Sequence, residues 1–416
     1  MPAVNRLPFT LSNRLAILCI ALLGSAPVAH ANSVTPADDS PASIQSQLIQ
    51  TEHSRILTKA TEYLSVKPST IVDYVSPRSS GTAHDFYSEG DYWWPNPEDP
   101  SGPYIRRDGL SNPDNFIKHR LQLIELSDIA ATLASAYILE QDQKYLTQID
   151  NHLNAWFVNG KTKMAPHLNY GQAIKGRNTG RSIGVIDTIH LTEVARSIYQ
   201  LEQLAPGALT SAAATKKWFA EYLQWLLESP FGQTERQHPN NHGVCWAMQA
   251  AAFAQLTGNT QLLDEIREDF KNVFIKQMMA TDGSFPAELA RTKPYGYSLF
   301  VLDAMATNAQ LLSNAEHDMW RFSTKDGRGM QRAVEYMLPY VQDKSSWPLK
   351  PDVLYWDNWP VRQPAFVFAA LHFKNSAYLN AWVTEEADPS EYEVLRNLPV
   401  RHPMIWLDAL SLGENK

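Results

Sequence analysis

The chain has 416 residues, of which 44% are hydrophobic, 11% aromatic and 19% charged, and this balance excludes disordered, collagen-like and disulfide-stapled proteins. Its formal charge of −8 argues against a nucleic-acid partner, which would need a basic footprint. The chain opens with Arg6 and Arg14, the apolar run Leu15–Leu23, and small residues ending at Ala29-His30-Ala31. That order is a secretory signal peptide, with cleavage expected after Ala31. The run is too short for a membrane anchor, which needs about 20 apolar residues. Cleavage removes both arginines and no acid, which takes the charge from −8 to −10. Cys245 is then the single cysteine, so neither an intrachain disulfide nor a thiolate metal site can form. Residues 32–416 are expected to form one secreted or periplasmic domain, with no membrane association.

A polar, proline-containing tail runs from Asn32 to Ala42, and helical periodicity starts near Ile44. Over 115–139, Ile129, Leu133 and Tyr137 fall at spacing four, on one helix face. Val194 and Ile198 repeat the pattern, as do Trp218, Tyr222 and Trp225, and then Val244, Met248, Ala251 and Ala252. Gly258 follows where a C-cap glycine belongs. About a dozen such segments with few alternating runs predict paired helices. Three loops, 82–114, 161–184 and 344–362, are rich in Gly, Pro, Asn and Trp, and long loops on a helical scaffold are where function is usually placed.

The segment 161–181 holds Lys161, Lys163, Lys175, Arg177 and Arg181 and no acid, with His167, Asn169, Tyr170 and Gln172 between them. On an acidic protein this is a local positive field for an anion; a solvated basic loop would look the same. The segment 89–115 sets Trp93 and Trp94 near Arg106 and Arg107. Rings can stack on sugar faces while arginines pair with carboxylates; rings plugging a loop to the core are the plain alternative. Asn240-Asn241-His242 opens the predicted helix near 242–257, where either asparagine could simply be the N-cap. A helix start also suits an anion, and an amide beside an imidazole could stabilise a carboxylate gaining charge. Glu288-Leu289-Ala290-Arg291 is followed by Tyr295, Gly296 and Tyr297. An arginine near a tyrosine is expected to lower the phenol from its ordinary value near 10. No phosphate loop, dinucleotide fingerprint, nucleophile elbow or metal motif appears, and His84, His119, His190 and His238 are scattered. No cofactor or metal is expected.

These stretches resemble the alginate lyase superfamily of helical polysaccharide lyases. The chain is similar to polysaccharide lyase family 38 in Tyr92-Trp93-Trp94-Pro95-Asn96-Pro97, Asp108-Gly109 with Asn112-Pro113, and Asn169-Tyr170-Gly171-Gln172 through Gly180-Arg181. More distantly it resembles the family 5 alginate lyases in Asn241-His242 and the Arg291–Tyr297 block. The resemblance implies an all-α fold, an (α/α) toroid that is an incomplete barrel of helical hairpins with long loops over a substrate cleft. It implies metal-independent β-elimination on a uronate polymer, poly-β-D-mannuronate (alginate) or glucuronan, leaving 4,5-unsaturated ends. By position, Tyr297 would be base and acid, His242 and Asn241 the carboxylate partners, and Arg291 a charge stabiliser. Trp93, Trp94, Arg107, Asn169, Gln172, Arg177, Arg181, Tyr295 and Glu288 are the expected substrate contacts. The lysine that family 5 enzymes carry on a mobile lid has no match here. The partner is therefore expected to be an acidic polysaccharide. Two alternatives stand: a glycoside hydrolase drawing two carboxylates from Asp91, Asp108, Glu235, Glu288 and Asp357, and a non-catalytic binder of acidic polysaccharide.

Overall fold

The computed structural model describes residues 40–407. The expected signal peptide and cleavage point lie outside them. Ser40 caps the first helix, α1 (Pro41–Tyr63): its side chain accepts from the Ser43 N–H, and a proline stands at the first helical position. The helix thus begins three residues before Ile44, where periodicity becomes visible.

The remaining helices are α2 (Lys118–Glu140), α3 (Gln143–Leu153), α4 (Leu191–Leu204), α5 (Ala212–Glu228), α6 (Pro230–Arg236) and α7 (Asn241–Thr257). They continue with α8 (Thr260–Asp269), α9 (Pro286–Leu289), α10 (Pro294–Leu312), α11 (Met330–Gln342), α12 (Pro364–Phe373), α13 (Ser376–Val383) and α14 (Tyr392–Arg396). Neighbours pack in the series α1, α2, α4, α7, α10, α12, and α12 returns against α1. Partners such as α3, α5 and α13 flank that series. This is an all-α toroid of helical hairpins, as the resemblance implies.

Composition explains which helices go inside. α7 and α10 are buried on nearly every face, as expected of helices enclosed by others. Ala247, Ala250, Ala251, Ala252 and Ala254 keep α7 thin, so α4, α5 and α10 can all lie close to it. Gly258 ends α7 in the left-handed region at φ 76°, as its position in the sequence predicts.

Strands are confined to the loops. β1 (Tyr87–Glu89) pairs in parallel with β4 (Tyr170–Ala173), and β2 (Trp93–Trp94) pairs antiparallel with β3 (Ile105–Arg106). The two loop regions therefore dock on each other rather than standing apart. Within the second loop, β4 lies tight against the segment that follows it, where a Cβ on Gly171 would lie 3.1 Å from the Gly184 Cα.

Candidate active site

One cleft of about 1020 Å³, open to solvent, collects the first turns of α7 and α10, the β2–β3 loop, the segment after β4, and α14. The α7 wall is held from below by carboxylates. Asn240 is the N-cap, and its side chain accepts from the His242 N–H. The Asn241 N–H and side-chain amide donate to the two oxygens of Glu288, at 2.8 and 2.7 Å. The helix start is thus already satisfied by protein groups, and these two N–H groups are not free for an anion. What faces the cleft is the imidazole itself. His242 Nδ1 lies 2.5 Å from Glu235 Oε1, and Glu235 is fully buried. That contact fixes the ring and leaves Nε2 toward the cleft. His238 reaches the same carboxylate at 3.6 Å. Gly243 lets the turn carrying His238 pass close, because a Cβ there would strike the His238 carbonyl oxygen.

The α10 wall is held by cations. The Tyr297 hydroxyl lies 2.5 Å from that of Tyr92, and Arg291 Nη2 donates to it at 3.4 Å. The Arg291 guanidinium sits 4.6 Å from the Tyr297 ring centre. Burial and the neighbouring Tyr92 nevertheless push the Tyr297 phenol well above its ordinary range, while Lys293 and Arg291 pull downward without cancelling that effect. The expectation that Arg291 lowers this phenol is therefore half right: its sign is downward, but desolvation is larger. Tyr92 is raised too, by burial first and by Glu393 second.

The loops add positive charge. Arg106, Arg120, Arg181, Arg291 and Arg396 line the cleft against Asp91 and Asp187. Arg120 is 2% exposed and is neutralised by Asp91 at 2.5 Å and Asp187 at 2.8 Å. Among the described residues Arg181 donates hydrogen bonds to Gln172, to its carbonyl at 3.1 Å and its side chain at 2.7 Å. Gln172 takes the left-handed region at φ 49° and also donates to Asp187 at 2.9 Å. A non-glycine residue in that region is uncommon and marks a constrained loop. His190 lies in the floor, where burial and the nearby Arg401 lower it to about 3, so it is a neutral group. Among the described residues, no group of three or more His, Cys, Asp or Glu side chains is placed to hold a metal ion.

Of the residues singled out in the sequence, Tyr297, His242, Asn241, Arg291, Trp93, Gln172 and Arg181 line this cleft. Six others do not. Tyr295 is turned into the core between Trp347 and Trp356, with its hydroxyl donating to the Tyr340 carbonyl. Glu288 lies beneath Asn241, where burial raises its carboxyl above the usual range although Asn241 opposes this. Trp94 carries Arg107 over its ring at 5.2 Å, and Arg177 stacks on Trp93 at 5.0 Å. Asn169 accepts from Trp225 at 3.1 Å. The hydrolase candidates are tied up in ion pairs or hydrogen bonds or lie outside the cleft. Asp91 sits between Arg120 and Arg396, Asp108 bridges Arg106 and Arg291, and Asp357 is exposed on a short turn.

The sequence reading missed Tyr92, Lys293, Arg396 and the support role of Glu235. Tyr92 and Lys293 had a signal, since they adjoin Trp93 and Arg291. Arg396 had none: α14 lies about a hundred residues beyond Tyr297 in the sequence.

A helical toroid with an arginine-rich cleft around an Asn-His pair and a tyrosine is the architecture of a polysaccharide lyase. The sequence matches the family model described as alginate lyase over residues 70–347, and the chain belongs to that family. A solved alginate lyase from Bacteroides ovatus is similar at 29% identity and a TM-score of 0.72, covering 90% of this chain and all of its own. A variant of alginate lyase A1-III complexed with tetrasaccharide is 13% identical with a TM-score of 0.52, covering 92% of this chain and 99% of its own, a likeness of fold alone. No curated protein sequence matches.

Proposed function

We propose that this polysaccharide lyase cleaves alginate, in its poly-β-D-mannuronate blocks, or glucuronan by β-elimination without a metal, leaving 4,5-unsaturated uronate ends. The observation that carries the reading is the convergence of the Tyr297 hydroxyl, His242, Asn241 and Arg291 on one positively lined cleft. Elimination needs the C6 carboxylate neutralised, a base for the C5 proton and an acid for the departing O4. With Nδ1 held against Glu235, His242 turns its Nε2 edge to that carboxylate, and Arg291 adds charge. Such groups, fixed before substrate arrives, stabilise the dianionic intermediate. Tyr297 takes the C5 proton and returns one to O4. In β-mannuronate and β-glucuronate, H5 and O4 lie on one face of the ring, so one tyrosine serves both steps.

Incubation with polymannuronate, polyguluronate, glucuronan and hyaluronan, followed by near-ultraviolet absorbance of the unsaturated end, tests the proposal. Saturated reducing ends would turn it to hydrolysis, and no product from any polymer would leave a binding protein. The same reading places the mature enzyme, from Asn32 onward, in the periplasm or outside the cell. N-terminal sequencing of the exported protein checks that boundary.

A further inference from the structure

We propose that Tyr92 positions the reactive oxygen: its hydroxyl, polarised by Arg396, donates to the Tyr297 oxygen, and the two phenols share one proton in the reactive state. The inference rests on the proposed elimination by Tyr297 and adds a second tyrosine to it.

Either phenol could donate to the other, and in the proposed state Tyr92 is the donor. Arg396 Nη2 donates to the Tyr92 oxygen at 3.1 Å. Having accepted there, Tyr92 has its own proton to give, and the Tyr297 oxygen is 2.5 Å away. Arg291 Nη2 approaches the same Tyr297 oxygen at 3.4 Å. Two donors therefore converge on Tyr297 and set its oxygen to accept a proton from substrate. Arg396 is held in turn by Asp91 at 2.7 Å and Glu393 at 2.7 Å. Lys293 pairs with buried Glu393 and lies 4.9 Å from the Tyr92 ring and 5.5 Å from the Tyr297 ring. The charged groups facing the pair are thus Arg291, Lys293 and Arg396 against Glu393 and Asp91, with His242 also lining the cleft. Burial opposes ionisation of either phenol alone. One negative charge spread over two oxygens, with three cations near, eases that cost. The pair then titrates as a unit.

The protons balance over a turnover. The pair begins with one proton, held on Tyr92 and shared with the Tyr297 oxygen. The C5–H bond breaks and an O–H bond forms on Tyr297, while the electron pair passes into the C6 carboxylate. The C4–O4 bond then breaks, C4=C5 forms, and the Tyr297 proton moves to O4. The pair returns to its single proton.

Tyr92→Phe is the test, with the pH dependence of kcat/KM as readout. The base must be ionised, so activity rises with pH through the pair's first ionisation. Removing the Tyr92 donor makes Tyr297 harder to ionise. The acid-side limb should move up by about one to two pH units, and the rate near neutrality should fall about 10- to 100-fold. Arg396→Lys keeps the charge beside Asp91 and Glu393 but loses the planar fork, and should move the limb the same way by less. A merely structural role would change rate or stability without moving the limb. A wild-type limb and kcat/KM in Tyr92→Phe would overturn the proposal; should that variant not fold, an unmoved limb in Arg396→Lys does so. If wild-type protein gives no unsaturated ends, the elimination itself fails. If it does and these limbs stay in place, only the shared proton fails.

Discussion

The two walls of the cleft are built on opposite charges. On the α7 wall, buried carboxylates lie behind uncharged or weakly basic groups: Glu288 under Asn241 and Glu235 under His242. On the α10 wall, Arg291, Lys293 and Arg396 surround two phenols. A carboxylate behind the imidazole fixes the ring, so the first wall presents an oriented ring edge to the cleft. Arg291 and Lys293 oppose, without cancelling, the burial that holds the Tyr297 phenol high, so the second wall eases the loss of its proton. In the proposed elimination a substrate would meet His242 at its carboxylate and Tyr297 at its C5 hydrogen. The sign of the supporting charge thus divides the chemistry between the walls.

The largest effect should come from breaking the α10 wall. Tyr297→Phe removes one hydroxyl and leaves the packing almost intact. Turnover should fall by about 10⁴-fold, with Tm and substrate affinity nearly unchanged, because one group serves both proton transfers. Steady-state kinetics beside a melting curve check this; a loss below tenfold would exclude Tyr297 as the proton-transfer group.

Breaking the α7 wall should cost somewhat less. His242→Ala removes a preorganised partner of the developing dianion, and kcat should fall by about 10²–10³-fold. If KM alone rises, His242 binds the ground state and the division between walls is wrong.

The support beneath that wall should matter next. Glu235→Gln keeps the shape but takes away the charge and can offer His242 the wrong hydrogen. The expected loss in kcat is about 10- to 100-fold, by analogy with orienting partners of metal-bound histidines. Steady-state kinetics check this, and a kcat within about twofold of wild type would remove Glu235 from the argument.

The smallest effect concerns capture. Among the described residues no carboxylate is hydrogen-bonded to Arg181, so Arg181→Met should raise KM several-fold with kcat near wild type. In wild type KM should climb with ionic strength as the arginines are screened, and the variant should climb less steeply. Equal salt slopes would show that Arg181 does not meet the polymer.

These walls were not equally legible in the sequence. Asn241-His242 and Arg291 through Tyr297 are local clusters, so their residue types stand out at short spacing. Their supports do not stand out, because contact rather than spacing unites them. Glu235 reaches His242 across the turn between α6 and α7, and Arg396 meets Tyr92 from a segment 304 residues away. The choice between Tyr295 and Tyr297 needed the register of α10. Two residues on a helix are turned by about 200°, so one ring faces the cleft and the other the core. The helices themselves were visible from periodicity, including the start and end of α7. The pairing of β1 with β4 was not, since three- and four-residue strands carry no readable alternation.

The tie between Asp91 and Arg396 has a consequence for synthesis. It spans 305 positions, and its second member belongs to a five-residue helix near the end of the chain. A ribosome would have delivered α1 through α13, and the whole series of packed helices, before Arg396 emerged. The chain can therefore pair most of its helices before either the cleft wall or the core residues that follow it, Leu398 to Trp406, are in place. Any product ending before Tyr392, through a premature stop or a protease cut, should lose the cleft wall together with the core residues Val394, Met404, Ile405 and Trp406, and leave Glu193 and Asp128 without the backbone and imidazole of His402. The working site and the finished core are then completed by one and the same stretch of chain.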